Sequence, residues 1–146
     1  RTTLAKQLAL YVVFYSPFQM ASDMIENYEN QKAFSFITSC PVNWQKTIVP
    51  NAKIGEYLTV IRKDADSENW FLGAITNENS RELKLSLDFL SKDKNYRAII
   101  YKDGKDAHYN KNPYSIDIME RIVTSKETLS LQLAEGGGIA IKFEKI

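Results

Sequence analysis

The chain has 146 residues, of which 44% are hydrophobic and 25% are charged, a balance typical of a folded globular protein and not of a disordered one. Its 19 basic and 18 acidic residues leave a formal net charge of +1, which argues against binding to nucleic acid. The single cysteine, Cys40, excludes an internal disulfide and a cysteine-rich zinc site, and the single histidine, His108, excludes most His-based metal and triad chemistry.

The first segment predicts an unusually apolar helix. Two threonines supply a helix cap and apolar residues follow at helical spacing, so we expect a helix over residues 3–15 that ends before Pro17. Its apolar run at 8–15 is too short for a membrane span, which needs roughly 20 residues. The helix is apolar almost all the way round, which predicts packing on more than one side. Because the first residue is Arg1 and not methionine, we also expect the chain to be part of a longer protein.

The next forty residues predict mostly irregular structure. Residues 18–23 are compatible with a strand or with a first helical turn, and residues 24–30 are polar and typical of a loop. A short helix is expected at 31–39, where apolar residues share one face and a proline follows. Residues 41–54 contain two prolines and predict an irregular connector.

From Gly55 onward the pattern changes to short β-type runs separated by polar turns. We predict seven strands, at residues 57–62, 70–76, 82–87, 96–102, 114–123, 129–133 and 138–144. Turn-forming residues lie between them and no helical pattern interrupts them, which favours an antiparallel β-sandwich of about 90 residues. The fold class is therefore mainly β, with a first unit at 1–54 and a sandwich at 55–146.

Two local motifs admit both a functional and a structural interpretation. A phosphate-binding glycine loop requires a helix after it, whereas the glycines at 136–138 precede a predicted strand, so a turn or bulge is favoured over a ligand contact. His108, with Asp103 and Asp106 nearby in sequence, would hold a cation only with about six ordered oxygen ligands. The spacing of such a site is absent, and a solvated loop is the favoured interpretation.

Cys40 and the aromatic residues also have two interpretations. Cys40 ends an apolar-faced helix far in sequence from the histidine, which favours a small buried side chain over a nucleophile. Trp70, Tyr101, Tyr109 and Tyr114 are typical of strand packing, but aromatic rings are also the surfaces on which sugars stack. Tyr109 and Tyr114 flank a loop and are the favoured sugar contacts of this set.

Acidic residues cluster after the first apolar stretch, at Asp23, Glu26 and Glu29. In a β/α barrel the residues that follow a strand face the active site. If residues 18–21 form such a strand, Asp23 and Glu26 would lie at the mouth of a catalytic site. The alternative is that they are ordinary solvated acids.

Six separated blocks of the sequence carry a resemblance to a known family. They are LALYVVFYSPFQMASD at 8–23, GEYLTVIRK at 55–63, WFLGAITNE at 70–78, LSLDFL at 85–90, AIIYKDGKDA at 98–107 and LAEGGG at 133–138. Together they resemble, in order, the C-terminal region of glycoside hydrolase family 97. Members of this family are α-glucosidases and α-galactosidases with an N-terminal β-supersandwich, a central (β/α)8 barrel and a C-terminal β-sandwich.

The resemblance implies that residues 1–54 are the last helix–strand–helix segment of the barrel and that 55–146 are the final sandwich. It implies that the catalytic acids and the calcium ion of these enzymes lie upstream, so that we expect no catalytic residue, metal or cofactor in this chain. Asp23 and Glu26 would at most neighbour the substrate-binding mouth. The implied partners are the protein's own barrel and, through it, an oligo- or polysaccharide.

The resulting hypothesis is a non-catalytic C-terminal part of an α-glucosidase or α-galactosidase, in which the sandwich packs on the barrel and stabilises it. The alternatives are a carbohydrate-binding module and a structural domain that self-associates through the exposed apolar helix. Export, to a bacterial periplasm, is implied by the resemblance alone and is compatible with a lone cysteine.

Overall fold

A computed structural model describes residues 1–22 and 24–146 and places three helices and eight strands there. The helices are α1 (Leu4–Val13), α2 (Ile25–Tyr28) and α3 (Phe34–Ser39). The strands are β1 (Trp44–Lys53), β2 (Tyr57–Asp64), β3 (Trp70–Thr76), β4 (Arg81–Ser86), β5 (Tyr96–Asp103), β6 (Ile116–Val123), β7 (Thr128–Leu133) and β8 (Gly138–Lys145). Every strand pair is antiparallel, and the prediction of a mainly β, antiparallel fold is confirmed.

The strands form two packed sheets. The larger sheet has the order β1-β2-β3-β8-β5-β6, and β4 pairs with β7 in the smaller one. Alternate side chains of the larger sheet, such as Leu72 and Ile141, pack against Leu85 and Leu131 of the smaller sheet and form the main core. The opposite face of the larger sheet is also buried, because α1 and α3 cover it.

The seven predicted strands are all present, and none of their bounds differs from the prediction by more than two residues. The irregular connector expected at 41–54 is wrong, because most of it forms β1, which pairs with β2. Two register shifts and Pro50 interrupt the alternation of this strand, so its sequence lacks the period of two that marks a strand. The larger sheet therefore begins before Gly55.

The helical predictions are correct in part. The apolar helix at the start is α1, and the second predicted helix is the shorter α3. The loop expected at 24–30 contains the single-turn helix α2. Residues 18–22 form no strand, since no neighbouring strand pairs with them in the described part of the chain. Asp23, at the end of that expected strand, lies outside the described residues.

Helix α1 lies directly on β3 and β8. Ala5, Leu8, Ala9 and Val12 are its buried side chains, spaced so that they share one helical face. The backbones approach so closely that a Cβ atom on Gly73 of β3 would lie 2.4 Å from the carbonyl oxygen of Ala9. Glycine at this position is therefore a requirement of helix docking.

The C-terminal end of α1 is held by Arg62 of β2, a buried residue. Its Nε atom donates a hydrogen bond of 2.7 Å to the carbonyl oxygen of Val12, and a terminal nitrogen donates one of 3.3 Å to that of Val13. These carbonyls have no partner within the helix, and a cation beside them also interacts favourably with the helix dipole. Arg62 thus caps α1 and joins it to the sheet.

The N-terminal end of α1 is held by Asp103 at the end of β5. Its Oδ2 atom accepts hydrogen bonds of 2.9 Å from the amides of Ala134 and Gly138. Burial raises the pKa of the Asp103 carboxyl above its usual value, and the hydrogen bond from Thr3, the two amides and the charge of Lys6 oppose this rise. Because the side chain of Thr3 also caps α1, one carboxylate joins the helix start to the turn before β8.

Replacing Asp103 with alanine should lower the free energy of unfolding by about 1–3 kcal/mol, because the two amides lose a buried acceptor. Asp103→Asn retains an acceptor and should cost less.

A carboxyl whose folded-state pKa is raised stabilises the fold fully below its unfolded-state pKa, and this contribution is lost as the pH rises through the folded-state pKa. The stability of the unchanged chain relative to Asp103→Asn, measured by urea unfolding, should therefore fall as the pH rises above the usual pKa of an aspartate carboxyl.

Asp106→Asn is the matched control for this pH dependence. Hydrogen bonds, first of all from Ser115, hold the pKa of the exposed Asp106 carboxyl below its usual value. Its contribution is present above the unfolded-state pKa and is lost as the pH falls, so the trend relative to Asp106→Asn should have the opposite sign. Parallel trends for the two variants would refute the assignment of Asp103.

Candidate functional site

The glycines at 136–138 form a turn that packs against other backbone segments. Gly136 has a φ of 64°, and a Cβ atom on it would collide with the ring of Tyr109. A Cβ atom on Gly137 would lie 2.0 Å from Oδ2 of Asp103, and one on Gly138 would lie 2.7 Å from Cα of Lys6. A strand follows the turn, so its geometry supports the structural interpretation of this motif.

Asp103, Asp106 and His108, which lie near one another in sequence, do not come together as a cation site. Asp103 points inward to backbone amides, whereas Asp106 accepts hydrogen bonds from Asn112 and Ser115. His108 lies with its Nε2 atom 2.9 Å from Glu135, and its Nδ1 atom accepts from two backbone amides. Across residues 1–22 and 24–146, no group of three or more His, Cys, Asp or Glu side chains is arranged to hold a metal ion.

Cys40 is a packing residue. Its thiol lies among the side chains beneath α1, and its Sγ atom is 3.9 Å from the carbonyl oxygen of Tyr11. Burial raises the pKa of the Cys40 thiol to about 12, and the charge of Arg62 only partly opposes this. Because the thiolate is the reactive form, this environment suppresses nucleophilic chemistry.

The two tyrosines favoured as sugar contacts border the same surface cavity of about 510 Å3. Tyr109 stacks on His108 with ring centroids 4.6 Å apart and covers Gly136, so its ring has a packing role. Tyr114 is 80% exposed. Sugar contact at either residue stays a prediction.

Glu26 lies on α2 and is exposed to solvent. Its expected companion Asp23 lies outside the described residues, so the pair proposed for the substrate mouth stays a prediction. Glu26 is not among the residues that line the cavity bordered by Tyr109 and Tyr114.

The outer face of α1 opens onto an apolar groove of about 450 Å3. Tyr11 and Ile37 line it together with Phe14, Phe18 and Met20, and these last three side chains are 63–75% exposed. We call Phe14, Phe18 and Met20 the apolar patch. Exposed apolar surface is common at sites of protein–protein contact, in ligand grooves and at membrane-binding sites. The sequence predicts a helix that is apolar almost all the way round, and hence an apolar outer face. It does not predict that the residues after the helix extend this apolar surface.

None of the helices in the described ranges is long and apolar enough to cross a membrane. Helix α1 is ten residues long, and its apolar side chains pack on the sheet on one side and line the groove on the other.

Comparison with known proteins gives a consistent result. Residues 43–144 match the family model described as "Glycosyl-hydrolase 97 C-terminal, oligomerisation". A protein named retaining alpha-galactosidase, from Bacteroides thetaiotaomicron, is 37% identical over 143 residues, which is 97% of this chain and 21% of that protein. The chain therefore spans about a fifth of the length of this relative.

Solved structures agree with this match. A glycoside hydrolase family 97 enzyme from Pseudoalteromonas, solved in complex with panose, superposes with a TM-score of 0.97 and 46% identity, over 99% of this chain and 23% of that one. A β-arabinopyranosidase structure superposes with a TM-score of 0.78 at 23% identity, over 97% of this chain and 21% of that one, and shares the fold. The family resemblance seen in the sequence is thus confirmed, and the sheet that begins at β1 corresponds to the matched range.

The Cys40 thiol should be almost inert in the folded chain. With a pKa of about 12, roughly one thiol in 10,000 is ionised at pH 8, so reaction with a disulfide reagent such as DTNB should be slow and should become fast in guanidinium. Ala52→Cys in a Cys40→Ser background places a thiol on the exposed side of β1 and should react rapidly without denaturant. Equal native rates for the two thiols would contradict the assignment.

Proposed function

The chain belongs to glycoside hydrolase family 97 and corresponds to the C-terminal portion of its members, and from this membership we propose that it is a non-catalytic part of an α-glycosidase that packs on the catalytic barrel and stabilises it. The substrate of the whole enzyme would be an oligo- or polysaccharide with α-glucosidic or α-galactosidic bonds. The whole enzyme would be exported, with a bacterial periplasm as its compartment.

The apolar patch is the observation that carries the proposal. Phe14, Phe18 and Met20 lie on one side of the docked helix and leave large side chains in solvent, which is unfavourable unless another surface covers them. The occupant we propose is the barrel of the same polypeptide. The relatives are four to five times longer than this chain, so in them the matching segment is joined to a much longer polypeptide, and in our proposal that polypeptide contains the barrel.

The chemistry of the described residues supports a non-catalytic role. Glycoside hydrolysis requires two carboxylic acids held on either side of the scissile bond. Glu26 stands on a single-turn helix at the surface, and the buried carboxylate Asp103 is engaged by backbone amides. In our proposal the catalytic acids and the calcium ion of the whole enzyme are held by residues upstream of this chain.

The 146-residue chain should hydrolyse neither aryl α-glucosides nor aryl α-galactosides above the uncatalysed rate, because in our proposal both catalytic acids lie upstream of it. The measurement is release of nitrophenol at high protein concentration. Glu26→Ala and Asp23→Ala serve as controls. Turnover that survives purification and disappears in either variant would contradict the non-catalytic assignment.

A second experiment tests the packing role of the apolar patch. The double variant Phe14→Ser/Phe18→Ser should lower the thermal unfolding midpoint of the longer polypeptide that carries the barrel, because each buried Phe contributes about 1.5–3 kcal/mol. In the 146-residue chain, where these side chains face water, the same change should leave the midpoint nearly unchanged and reduce binding of the dye ANS.

Tyr114→Ser is the matched control, since Tyr114 is an equally exposed aromatic residue outside the apolar patch. It should affect neither polypeptide. Equal midpoints for the longer polypeptide with and without the double variant would refute packing through this surface.

A further inference from the structure

Strand β6 is an open edge of the larger sheet. It pairs with β5 over all eight residues in an unbroken register, and across the described ranges no strand pairs with its other side. An unpaired edge presents a row of backbone donors and acceptors that can accept a further strand.

The opposite edge of the same sheet is protected. Strand β1 carries Pro50, Lys46 and Lys53, and its register with β2 shifts twice. Proline, lysine and bulges are the features by which natural sheets prevent pairing at an edge. Strand β6 has no proline, lysine or register shift; its charged side chains are Asp117, Glu120 and Arg121, and two of its apolar side chains, Met119 and Ile122, are about half exposed.

The side chains of β6 are complementary to those of a second β6 in one antiparallel register. A two-fold axis perpendicular to the sheet brings together residues that share a face and are equally distant from the axis. An axis at Met119 sets Asp117 opposite Arg121 of the second copy twice, because each copy contributes both residues. The same axis sets Ile116 opposite Ile122, and Ile118 opposite Glu120, of the second copy on the α1 face of the sheet.

The neighbouring registers are less favourable. An axis at Glu120 sets two glutamates opposite each other, and an axis at Arg121 sets two arginines opposite each other, which is repulsive. An axis at Ile118 shortens the overlap and leaves Arg121 beyond the paired residues of β6.

The space beside β6 can accept a second strand. A surface cavity of about 770 Å3 lies along it, and its lining includes Ile116, Ile118 and Met119 together with the charged side chains of Lys32, Lys102 and Asp117. Apolar side chains of an added strand would enter this cavity and cover the exposed part of β6.

We propose that β6 pairs with β6 of a second copy of this chain, centred on Met119, so that two six-stranded sheets become one twelve-stranded antiparallel sheet. The description of the matching family model names oligomerisation without a surface, and β6 supplies one. The self-association expected from the sequence was placed on the apolar helix, whereas this inference places it on the far edge of the sheet. It does not rest on the proposed packing of the barrel, because the C-terminal end of α1 is joined to β2, in the other half of the sheet.

One strand pair buries less surface than a standard interface, so the dimer should be weak and should depend on concentration. Sedimentation velocity of the 146-residue chain should show a monomer–dimer equilibrium at concentrations up to about 1 mM. The experiment is done in the Phe14→Ser/Phe18→Ser background, so that association through the apolar patch does not contribute. Failure of the barrel-packing proposal would then leave this result unaffected.

Charge exchange tests the register. Asp117→Arg and Arg121→Asp, each alone, should be monomeric, because like charges then face each other across the axis. An equimolar mixture of the two variants should form a heterodimer, and the double variant Asp117→Arg/Arg121→Asp should dimerise again. Glu127→Gln removes the ion pair that Arg121 makes within its own chain and should leave the dimer intact.

Met119→Lys is an independent variant that places two like charges at the axis itself and should abolish the dimer, with circular dichroism confirming the fold. A monomer at every concentration for the background chain would overturn the proposal. A dimer that persists in Met119→Lys, or a mixture of the two charge variants that stays monomeric, would also overturn it.

Discussion

The close approach of α1 to the larger sheet is the contact on which the rest of the structure depends. A helix of ten residues is marginal in water by itself, so α1 is stable because it is docked. Docking at this distance requires glycine under the helix at two places, Gly73 in β3 and Gly138 in β8, where a Cβ atom would meet backbone atoms of the helix at 2.4 and 2.7 Å. The two ends are then fixed by charged groups of the sheet, Arg62 at the carbonyl end and Asp103 at the amide end.

This docking explains how one apolar helix serves two surfaces. One face of the helix packs on the sheet through Ala5, Leu8, Ala9 and Val12. The remaining apolar side chains lie on the other sides of the helix and face away from the sheet. A helix held at both ends and along one face presents its other face as a rigid surface, so little ordering is needed when a partner covers it. The helix is thus part of the sandwich in its packing while its free face forms one wall of the apolar groove.

The sequence predicts this fold well where local pattern and tertiary structure agree. Alternating strands bounded by turn residues are recognised because each buries one face, and α1 is recognised by its helical spacing. Strand β1 is missed because Pro50 and two register shifts remove the alternation, although pairing with β2 still determines its structure. The role of Asp103 is missed for a different reason: its partners are backbone amides more than thirty residues away, and backbone groups leave no signal in residue types. The apolar patch falls between these cases, since an over-apolar helix predicts an outer partner but not the path of the residues that follow.

The two edge strands of the larger sheet differ in how readily a further strand could pair with them. Strands β1 and β6 are both outermost, and both lie beside a partner strand over most of their length, yet only β1 carries proline, lysine and register shifts, which oppose further pairing in any register. A sheet whose edges were equally free would polymerise through alternate edges, because pairing of unlike edges is open-ended. Blocking one edge leaves only like-with-like contact at the other, and contact of that kind about a two-fold axis closes after two copies. Under the proposed pairing of β6, the protection of β1 therefore limits the assembly to a dimer, in which the exposed side chains of Met119 and Ile122 lie at the closed interface.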